Sequence, residues 1–151
     1  MGLAEELGCM LVEKFNHELR WEVDVVTAIP LSRERHFERG YNQVYLFARP
    51  FAWAIHKPFA PNFVQRKRNT SSQVGLSRRE RQKNICNAFQ GQPEVAGLRI
   101  LILDDVTTTG ATIMECARAL RAQGAKEVFG LTLAKTPCHS DQQIRINENL
   151  I

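Results

Sequence analysis

Residues 100–112, ILILDDVTTTGAT, decide the fold of this chain, and the polar residues at the end of this stretch indicate where a ligand binds. The apolar first part is nearly continuous, which is typical of a strand buried on both faces of a parallel sheet. Asp104 and Asp105 follow that strand, and a hydroxyl-rich turn then leads into a helical pattern. We predict a strand over residues 98–103 and a helix over residues 110–123 that ends at a glycine.

The end of this strand carries the groups needed to bind a sugar phosphate. Ligands of open α/β sheets bind at the carboxyl ends of the strands, and a helix N-terminus offers N–H groups and partial positive charge to a phosphate. Carboxylates suit neighbouring sugar hydroxyls, because they act as hydrogen-bond acceptors. We therefore predict a ribose 5-phosphate site with Asp104 and Asp105 at the sugar and a phosphate turn made of Val106, Thr107, Thr108, Thr109, Gly110, Ala111 and Thr112.

Two other interpretations of the paired carboxylates compete with this one. In the first, Asp104 and Asp105 only cap the loop and the helix that follows. In the second, one of them is the magnesium-binding aspartate that follows a hydrophobic strand in P-loop enzymes. That second interpretation requires the motif G-x-x-x-x-G-K-[ST] upstream, and the chain does not contain it.

The segments on either side predict a single α/β domain. Alternation of β-branched runs with amphipathic helical patterns is typical of a mostly parallel sheet flanked by helices. A proline inside a helix, here Pro50, should kink or split it. The predicted elements are helices over residues 3–20 and 42–56, strands over residues 23–29, 62–65, 88–89 and 128–134, and a short basic helix that begins at Arg78 behind the capping-box residues Ser77 and Glu80.

Length, composition and charge exclude several classes of protein. The chain has 151 residues, 44% hydrophobic and 24% charged, which is ordinary for a globular domain and unlike a disordered chain. Its net charge of +4 favours anionic ligands. No apolar stretch is long enough to span a membrane, and the acidic N-terminus does not have the pattern of a signal peptide. We expect one cytoplasmic domain over residues 1–151, with a frayed tail over residues 137–151.

The cysteines and tryptophans are predicted to be structural. The four cysteines include no C-x-x-C pair, so we expect free thiols and no structural zinc site. We predict that Cys9 and Cys116 are small core residues and that Trp21 and Trp53 are packing anchors.

Further motifs accompany residues 100–112. They are Ile29-Pro30-Leu31, the string Glu38-Arg39-Gly40-Tyr41-Asn42-Gln43, Ala88-Phe89, and the spaced residues Arg68, Thr70, Gln73, Leu76, Arg81 and Asn84. Together, over roughly residues 21–135, they resemble the ComF/GntX-like branch of the type I phosphoribosyltransferases. Proteins of this branch commonly carry an N-terminal four-cysteine zinc module. We expect this chain to lack it, since the sequence opens directly on the amphipathic helix.

The resemblance implies a type I phosphoribosyltransferase fold that binds 5-phosphoribosyl 1-pyrophosphate (PRPP) with Mg²⁺. It also implies displacement of pyrophosphate from ribose C1 by a nitrogen nucleophile, with Asp104 and Asp105 as catalytic carboxylates. Mg²⁺ would be held by the ligand's pyrophosphate and ribose hydroxyls, with the two aspartates as additional candidate ligands. The pyrophosphate would be bound by arginines of two basic segments, namely Arg33, Arg39, Arg78, Arg79 and Arg81.

The second basic segment, residues 66–83, is expected to be a mobile lid that closes over the pyrophosphate. It holds seven cationic residues and little apolar material with which to pack. One alternative is a permanently ordered helix that begins at Arg78. Another is a nucleic-acid patch, which the lack of interleaved aromatic side chains disfavours.

Three functions remain in competition on the sequence alone. The first is an active transferase that uses a nucleobase or another amine as its acceptor. The second is a catalytically silent PRPP sensor that regulates a partner. The third is an accessory protein of DNA uptake that binds single-stranded DNA or competence proteins. The paired aspartates and the phosphate turn favour the first two, and a homodimer is compatible with all three.

Overall fold

The computed structural model describes residues 3–31, 37–38, 40–67, 77–107, 109–135 and 145–146. In chain order, the strands are β1 (Val25–Ala28), β2 (Val64–Arg66), β3 (Phe89–Gly91), β4 (Arg99–Thr107), β5 (Glu127–Lys135) and β6 (Arg145–Ile146). The main helices are α1 (Leu3–Lys14), which continues as a π-helical turn over Phe15–Leu19, α2 (Gln43–Ala54), α3 (Arg78–Ile85) and α4 (Ala111–Ala122).

A mostly parallel sheet lies at the centre of the molecule. Its strand order is β1-β4-β5-β6; the first three strands are parallel, and β6 is antiparallel to β5. Strands β2 and β3 form a separate antiparallel pair. The predicted α/β architecture is therefore confirmed, and the carboxyl ends of the parallel strands lie at one edge of the sheet.

The apolar side chains of β4 alternate between two cores, one on each face of the sheet. Leu101 and Leu103 belong to the core that α1 and α2 complete, whereas Ile100 and Ile102 belong to the core that α4 completes. All four side chains are fully buried. Because neighbouring strand residues point to opposite faces, a strand covered on both sides is apolar at every position.

Two glycines allow α4 to approach the strands closely. A Cβ atom at Gly130 of β5 would lie 2.6 Å from Cγ2 of Ile113, in the first turn of α4. A Cβ atom at Gly91 of β3 would lie 2.7 Å from the carbonyl oxygen of Ala119, further along the same helix. Carbon atoms in contact are normally about 3.5–4.0 Å apart, so both positions require a residue without a side chain.

An ion pair joins β1 to β4 near their amino ends. The guanidinium of Arg99 donates to both carboxylate oxygens of Asp24, at 3.1 and 2.8 Å, and the Arg99 backbone N–H donates to the same carboxylate at 2.8 Å. Glu22 also pairs with Arg99. The hydrogen bonds from Arg99 lower the pKa of the Asp24 carboxyl to about 2. The pair therefore holds the sheet together at the edge opposite the carboxyl ends of the strands.

Three predicted elements differ in detail from the prediction. The helix predicted over residues 3–20 ends in the π-helical turn. Pro50 does not split α2, because it lies on the exposed side, where a missing N–H leaves no buried acceptor unsatisfied. The strand predicted over residues 98–103 continues to Thr107, since β5 pairs with it along that length.

The predicted burial of two cysteines and two tryptophans is confirmed for one residue of each pair and wrong for the other. Trp53 is 80% exposed and Cys9 is exposed, whereas Cys116 is buried and Trp21 stacks on the Phe129 ring with centroids 4.9 Å apart. Trp53 follows the fully buried Phe51 by two positions, which is about 200° around a helix. It therefore lies on the outer side of α2.

Part of the predicted frayed tail is paired. Residues Arg145–Ile146 form β6 against Val128 and Phe129 of β5. The rest of residues 137–151 lies outside the described ranges. Within those ranges, no helix is both long enough and apolar enough to cross a membrane.

Candidate functional site

The two predicted carboxylates, Asp104 and Asp105, lie near the carboxyl end of β4. Ala28, the last residue of β1, pairs with Leu103 of β4, and the N–H of Ile29 donates to the Leu103 carbonyl at 3.0 Å. Asp104 and Asp105 come immediately after this point on β4. The carboxylates thus lie where the chain leaves β1 and where β4 leads into α4.

Each carboxylate holds the backbone of its own strand. Oδ1 of Asp104 accepts from the N–H of Asp105 at 2.9 Å, and Oδ1 of Asp105 accepts from the N–H of Val106 at 2.8 Å. Neither stands at the N-cap position of α4, which is occupied by Gly110. These bonds disfavour the interpretation of the pair as helix caps.

The two aspartates extend different faces of the sheet. By strand alternation, Asp104 follows Ile102 on the α4 side and Asp105 follows Leu103 on the α2 side. The electrostatic effect of Asp104 on Cys116, a buried residue of α4, agrees with this placement. Burial raises the pKa of the Cys116 thiol well above its ordinary value, so this thiol stays protonated beneath the site.

The turn between β4 and α4 directs hydroxyl groups and N–H groups toward one another. The N–H of Gly110 donates to Oγ1 of Thr107 at 2.9 Å, and the N–H of Ala111 donates to Oγ1 of Thr109 at 3.4 Å. Gly110 has φ +77°, the left-handed region that glycine adopts without strain. Of the predicted phosphate turn, Thr108 lies outside the described residues.

Asn42 is the main site residue that sequence reasoning underestimated. Its Oδ1 accepts from the N–H of Val44 at 3.1 Å and so caps α2. Its Nδ2 also donates to the carbonyl of Ile29 at 3.0 Å, and the side chain is 5% exposed. The residues that flank the loop over residues 30–41 are therefore joined by a hydrogen bond beside the end of β1. The sequence offers only an asparagine at the start of a helical pattern, which indicates a helix cap but not the contact with Ile29.

The basic residues are only partly described. Arg33 and Arg39 lie outside the described residues, as do residues 68–76 of the predicted lid. The capping box is confirmed, since Glu80 Oε2 accepts from the N–H of Ser77 at 2.8 Å and Ser77 Oγ accepts from the N–H of Glu80 at 3.3 Å. Arg79 is exposed at the start of α3; the positions of Arg78 and Arg81 on this helix are described, but their side chains are not.

The segments that precede and follow the basic segment pair with each other in the two-stranded sheet. The N–H of Lys67 donates to the carbonyl of Ala88 at 2.7 Å, and the guanidinium of Arg66 lies 4.9 Å from the centre of the Phe89 ring. Residues 68–87 thus form the long connection of an antiparallel pair of strands. The short helix predicted to begin at Arg78 is confirmed, and whether the segment closes over a ligand stays a prediction.

Comparison with known proteins agrees with this arrangement. Residues 45–143 match the phosphoribosyl transferase domain family. The chain is similar to the DNA utilization protein YhgH of Escherichia coli K12, with 38% identity over 113 residues that cover 75% of this chain and 50% of that protein. It is 35% identical to competence protein F of Haemophilus influenzae over 126 residues, 80% of this chain and 55% of that protein. The chain therefore spans about half the length of the curated relatives it matches.

Solved structures share the fold. Glutamine PRPP amidotransferase of Bacillus subtilis superposes with a TM-score of 0.59 at 24% identity, over 98% of this chain and 30% of that one. Adenine phosphoribosyltransferase of Thermoanaerobacter pseudethanolicus superposes with a TM-score of 0.55 at 15% identity, over 88% of this chain and 80% of that one. These similarities define the class as the type I phosphoribosyltransferase fold. With the family match and the curated relatives, the chain belongs to the ComF-like branch of the phosphoribosyltransferase family.

Proposed function

We propose that this chain binds PRPP with Mg²⁺ at the carboxyl edge of its sheet and transfers the phosphoribosyl group to a nitrogen acceptor. The observation that carries the proposal is the continuity of β4, two carboxylates, a threonine turn and the left-handed Gly110 at the start of α4. This order places acceptors for a sugar next to donors for a phosphate. A ribose 5-phosphate group needs both within one site.

The 5-phosphate would bind at the start of α4. The N–H groups of Gly110 and Ala111 already point into the turn, where they donate to threonine hydroxyls. A phosphate oxygen is a stronger acceptor because it is charged, and the helix N-terminus favours that charge. The threonine hydroxyls would then become donors to the same phosphate.

The carboxylates would bind the ribose hydroxyls. Each uses one oxygen, Oδ1, to hold a backbone N–H, which fixes the orientation of the side chain. Because Asp104 and Asp105 extend opposite faces of β4, they would reach a sugar at the strand end from two sides.

The residues present fit Mg²⁺ only when the ligand supplies most of its oxygens. The described residues contain no group of three or more side chains able to ligate a metal, but they include the adjacent carboxylates of Asp104 and Asp105. Mg²⁺ is typically bound through one or two carboxylates together with substrate phosphates and water. In such a site the ion would neutralise charge on the departing pyrophosphate.

The chemical step would exchange one bond at ribose C1. A C1–N bond forms to the acceptor, the C1–O bond to pyrophosphate breaks, and the acceptor nitrogen loses a proton to solvent or to the pyrophosphate. The positive charge that develops on the ribose would be stabilised by the nearby carboxylates, and the departing negative charge by the arginines.

Titration calorimetry with Mg²⁺ and PRPP tests the binding. We expect Asp104→Asn and Asp105→Asn each to weaken binding by roughly 1.5–3 kcal/mol, because each loses a charged acceptor. Glu94→Gln, at an exposed carboxylate in the turn Pro93–Val95, is the matched control and should bind like the wild type. Absence of heat at millimolar PRPP would refute the proposal. Release of pyrophosphate with candidate amines would separate transfer from sensing.

A second candidate is an accessory role in DNA handling. Its support is the names of the relatives, a DNA utilization protein and competence proteins, together with the net charge of +4. We expect weak binding of single-stranded DNA that is tolerant of sequence and moderately sensitive to salt, since few phosphates are neutralised. Anisotropy of labelled oligonucleotides at two salt concentrations measures it; salt-independent, sequence-selective binding would contradict the expectation.

A further inference from the structure

Three side chains connect the end of the basic helix α3 to the phosphate-turn helix α4. The N–H of Asn87 donates to Oε2 of Glu115 at 3.1 Å. Nη2 of Arg118 donates both to Oδ1 of Asn87 at 2.6 Å and to Oε2 of Glu115 at 3.0 Å. We call Asn87, Glu115 and Arg118 the clamp. It is closed, since each member contacts the other two.

The clamp acts at a point where the backbone direction changes. Asn87 has φ +58°, in the left-handed region, two positions after the end of α3. Asparagine tolerates this conformation better than most residues, and here both its backbone and its side chain are held by α4. Ile85, the last residue of α3, is 2% exposed. The foot of α3 is therefore fixed by one buried side chain and by the clamp.

The opposite end of α3 carries Arg78 and Arg79, two of the three arginines of this helix assigned to pyrophosphate. The helix has eight residues, which is about 12 Å, so Arg78 and Arg79 lie a helix length away from its foot. A tilt of about 10° at the foot would move that end by about 2 Å. Such a shift is enough to break a hydrogen bond, whose length range is only about 0.5 Å. Small changes at the clamp are therefore amplified at the arginines.

We propose that the clamp is a positioning device, which sets the basic end of α3 relative to the phosphate turn at the start of α4. Helix α4 carries the phosphate turn in its first residues and the clamp in its second and third turns. It would therefore position the groups that bind the 5-phosphate and, through α3, the groups that bind the pyrophosphate. The proposal rests on the proposed function, since it assumes that the arginines of α3 bind the pyrophosphate end of PRPP.

A positioning role and a merely structural role predict different ligand preferences. If the clamp only stabilised α4, its loss would disturb the phosphate turn and weaken every ligand that uses it. If the clamp positions α3, its loss weakens PRPP and spares ribose 5-phosphate, which lacks the pyrophosphate.

The test compares two ligands on three variants by calorimetry with Mg²⁺. Arg118→Met removes both contacts of the guanidinium, and Asn87→Gly removes one side-chain contact while it permits the left-handed backbone. Arg121→Met is the control, because Arg121 lies on the same helix but bonds to the carbonyl of Ala125 instead. We expect both clamp variants to bind PRPP about tenfold more weakly and ribose 5-phosphate within about twofold of the wild type. The control variant should bind both ligands with the affinity of the wild type.

Hydrogen exchange of the unliganded variants provides an independent measurement. Residues 78–85 should exchange faster in Arg118→Met and in Asn87→Gly than in Arg121→Met, since the foot of α3 is released. Equal weakening of both ligands, or unchanged exchange and unchanged PRPP binding, would overturn the positioning role. A wild type that binds neither ligand would instead refute the proposed function, and faster exchange in the clamp variants would still show that the clamp holds α3.

Discussion

Replacement of Gly130 by alanine should increase the distance between α4 and strand β5. The added Cβ would lie 2.6 Å from Cγ2 of Ile113 and 3.6 Å from Cδ1. Since Cγ2 is bonded directly to Cβ and isoleucine has one strongly preferred rotamer in a helix, rotation of the side chain does not relieve the contact. Either β5 or the first turn of α4 must move by about 1 Å to restore an ordinary carbon–carbon distance.

The size of the effect follows from this overlap. Insertion of a methyl group into a close-packed contact costs about 1–3 kcal/mol. For a chain of 151 residues, a loss of about 2 kcal/mol lowers the melting temperature by about 4–8 °C. Ile113 is three positions after Gly110, so a shift of about 1 Å also moves the donors of the phosphate turn. We therefore expect weaker binding of ribose 5-phosphate as well as lower stability.

Thermal and urea unfolding of a double-mutant cycle measures the contact. Ile113→Ala alone should cost about 2–5 kcal/mol, but less in the Gly130→Ala background, where it removes the overlapping atom. Gly8→Ala in α1 is the matched control. No atom lies within 4 Å of its added Cβ, so a gain of up to about 1 kcal/mol is expected. Strict additivity of the two substitutions, or a fully stable Gly130→Ala, would show that the close approach is not restrictive.

Three further predictions concern residues outside α4. Asn42→Ala should cost about 2–3 kcal/mol in unfolding free energy, because it removes a helix cap and leaves a buried carbonyl unpaired; urea unfolding measures this, and a loss below about 0.5 kcal/mol would contradict it. The pKa of Asp24 is about 2 in the folded state against an ordinary 3.8, so its ion pair should stabilise the fold above pH 4 and lose that contribution as the pH falls toward 2. We expect about 1 kcal/mol after solvent screening, and Asp24→Asn should flatten this part of the stability profile. The capping bonds from Ser77 lower the pKa of Glu80, and an NMR titration of Ser77→Ala should show that pKa returning upward.

Local patterns along the chain were sufficient for the fold class, and they also indicated where the candidate site lies. The run from Ile100 to Leu103 predicted a doubly covered strand, because burial on both faces is visible as uninterrupted apolar sequence. A sugar phosphate site was predicted from the aspartates, the threonine turn and the glycine before α4. This was possible because these groups follow one another along the chain. The capping box at Ser77 spans only four residues and was likewise predictable from the sequence.

Contacts between distant segments were decided only by the tertiary structure. Asn42 reaches Ile29 across 13 positions and Asn87 reaches Glu115 across 28, and no periodicity relates residues that far apart. Trp53 was assigned to the core from its apolar character, but the buried side of α2 is set by the direction in which Phe51 packs. The sequence by itself therefore determined most of the helices and strands and indicated which end of the sheet carries the candidate site. Packing of those elements determined how α3, α4 and the loop after β1 are held, because hydrogen bonds and steric contacts between elements exist only once the chain has brought them together.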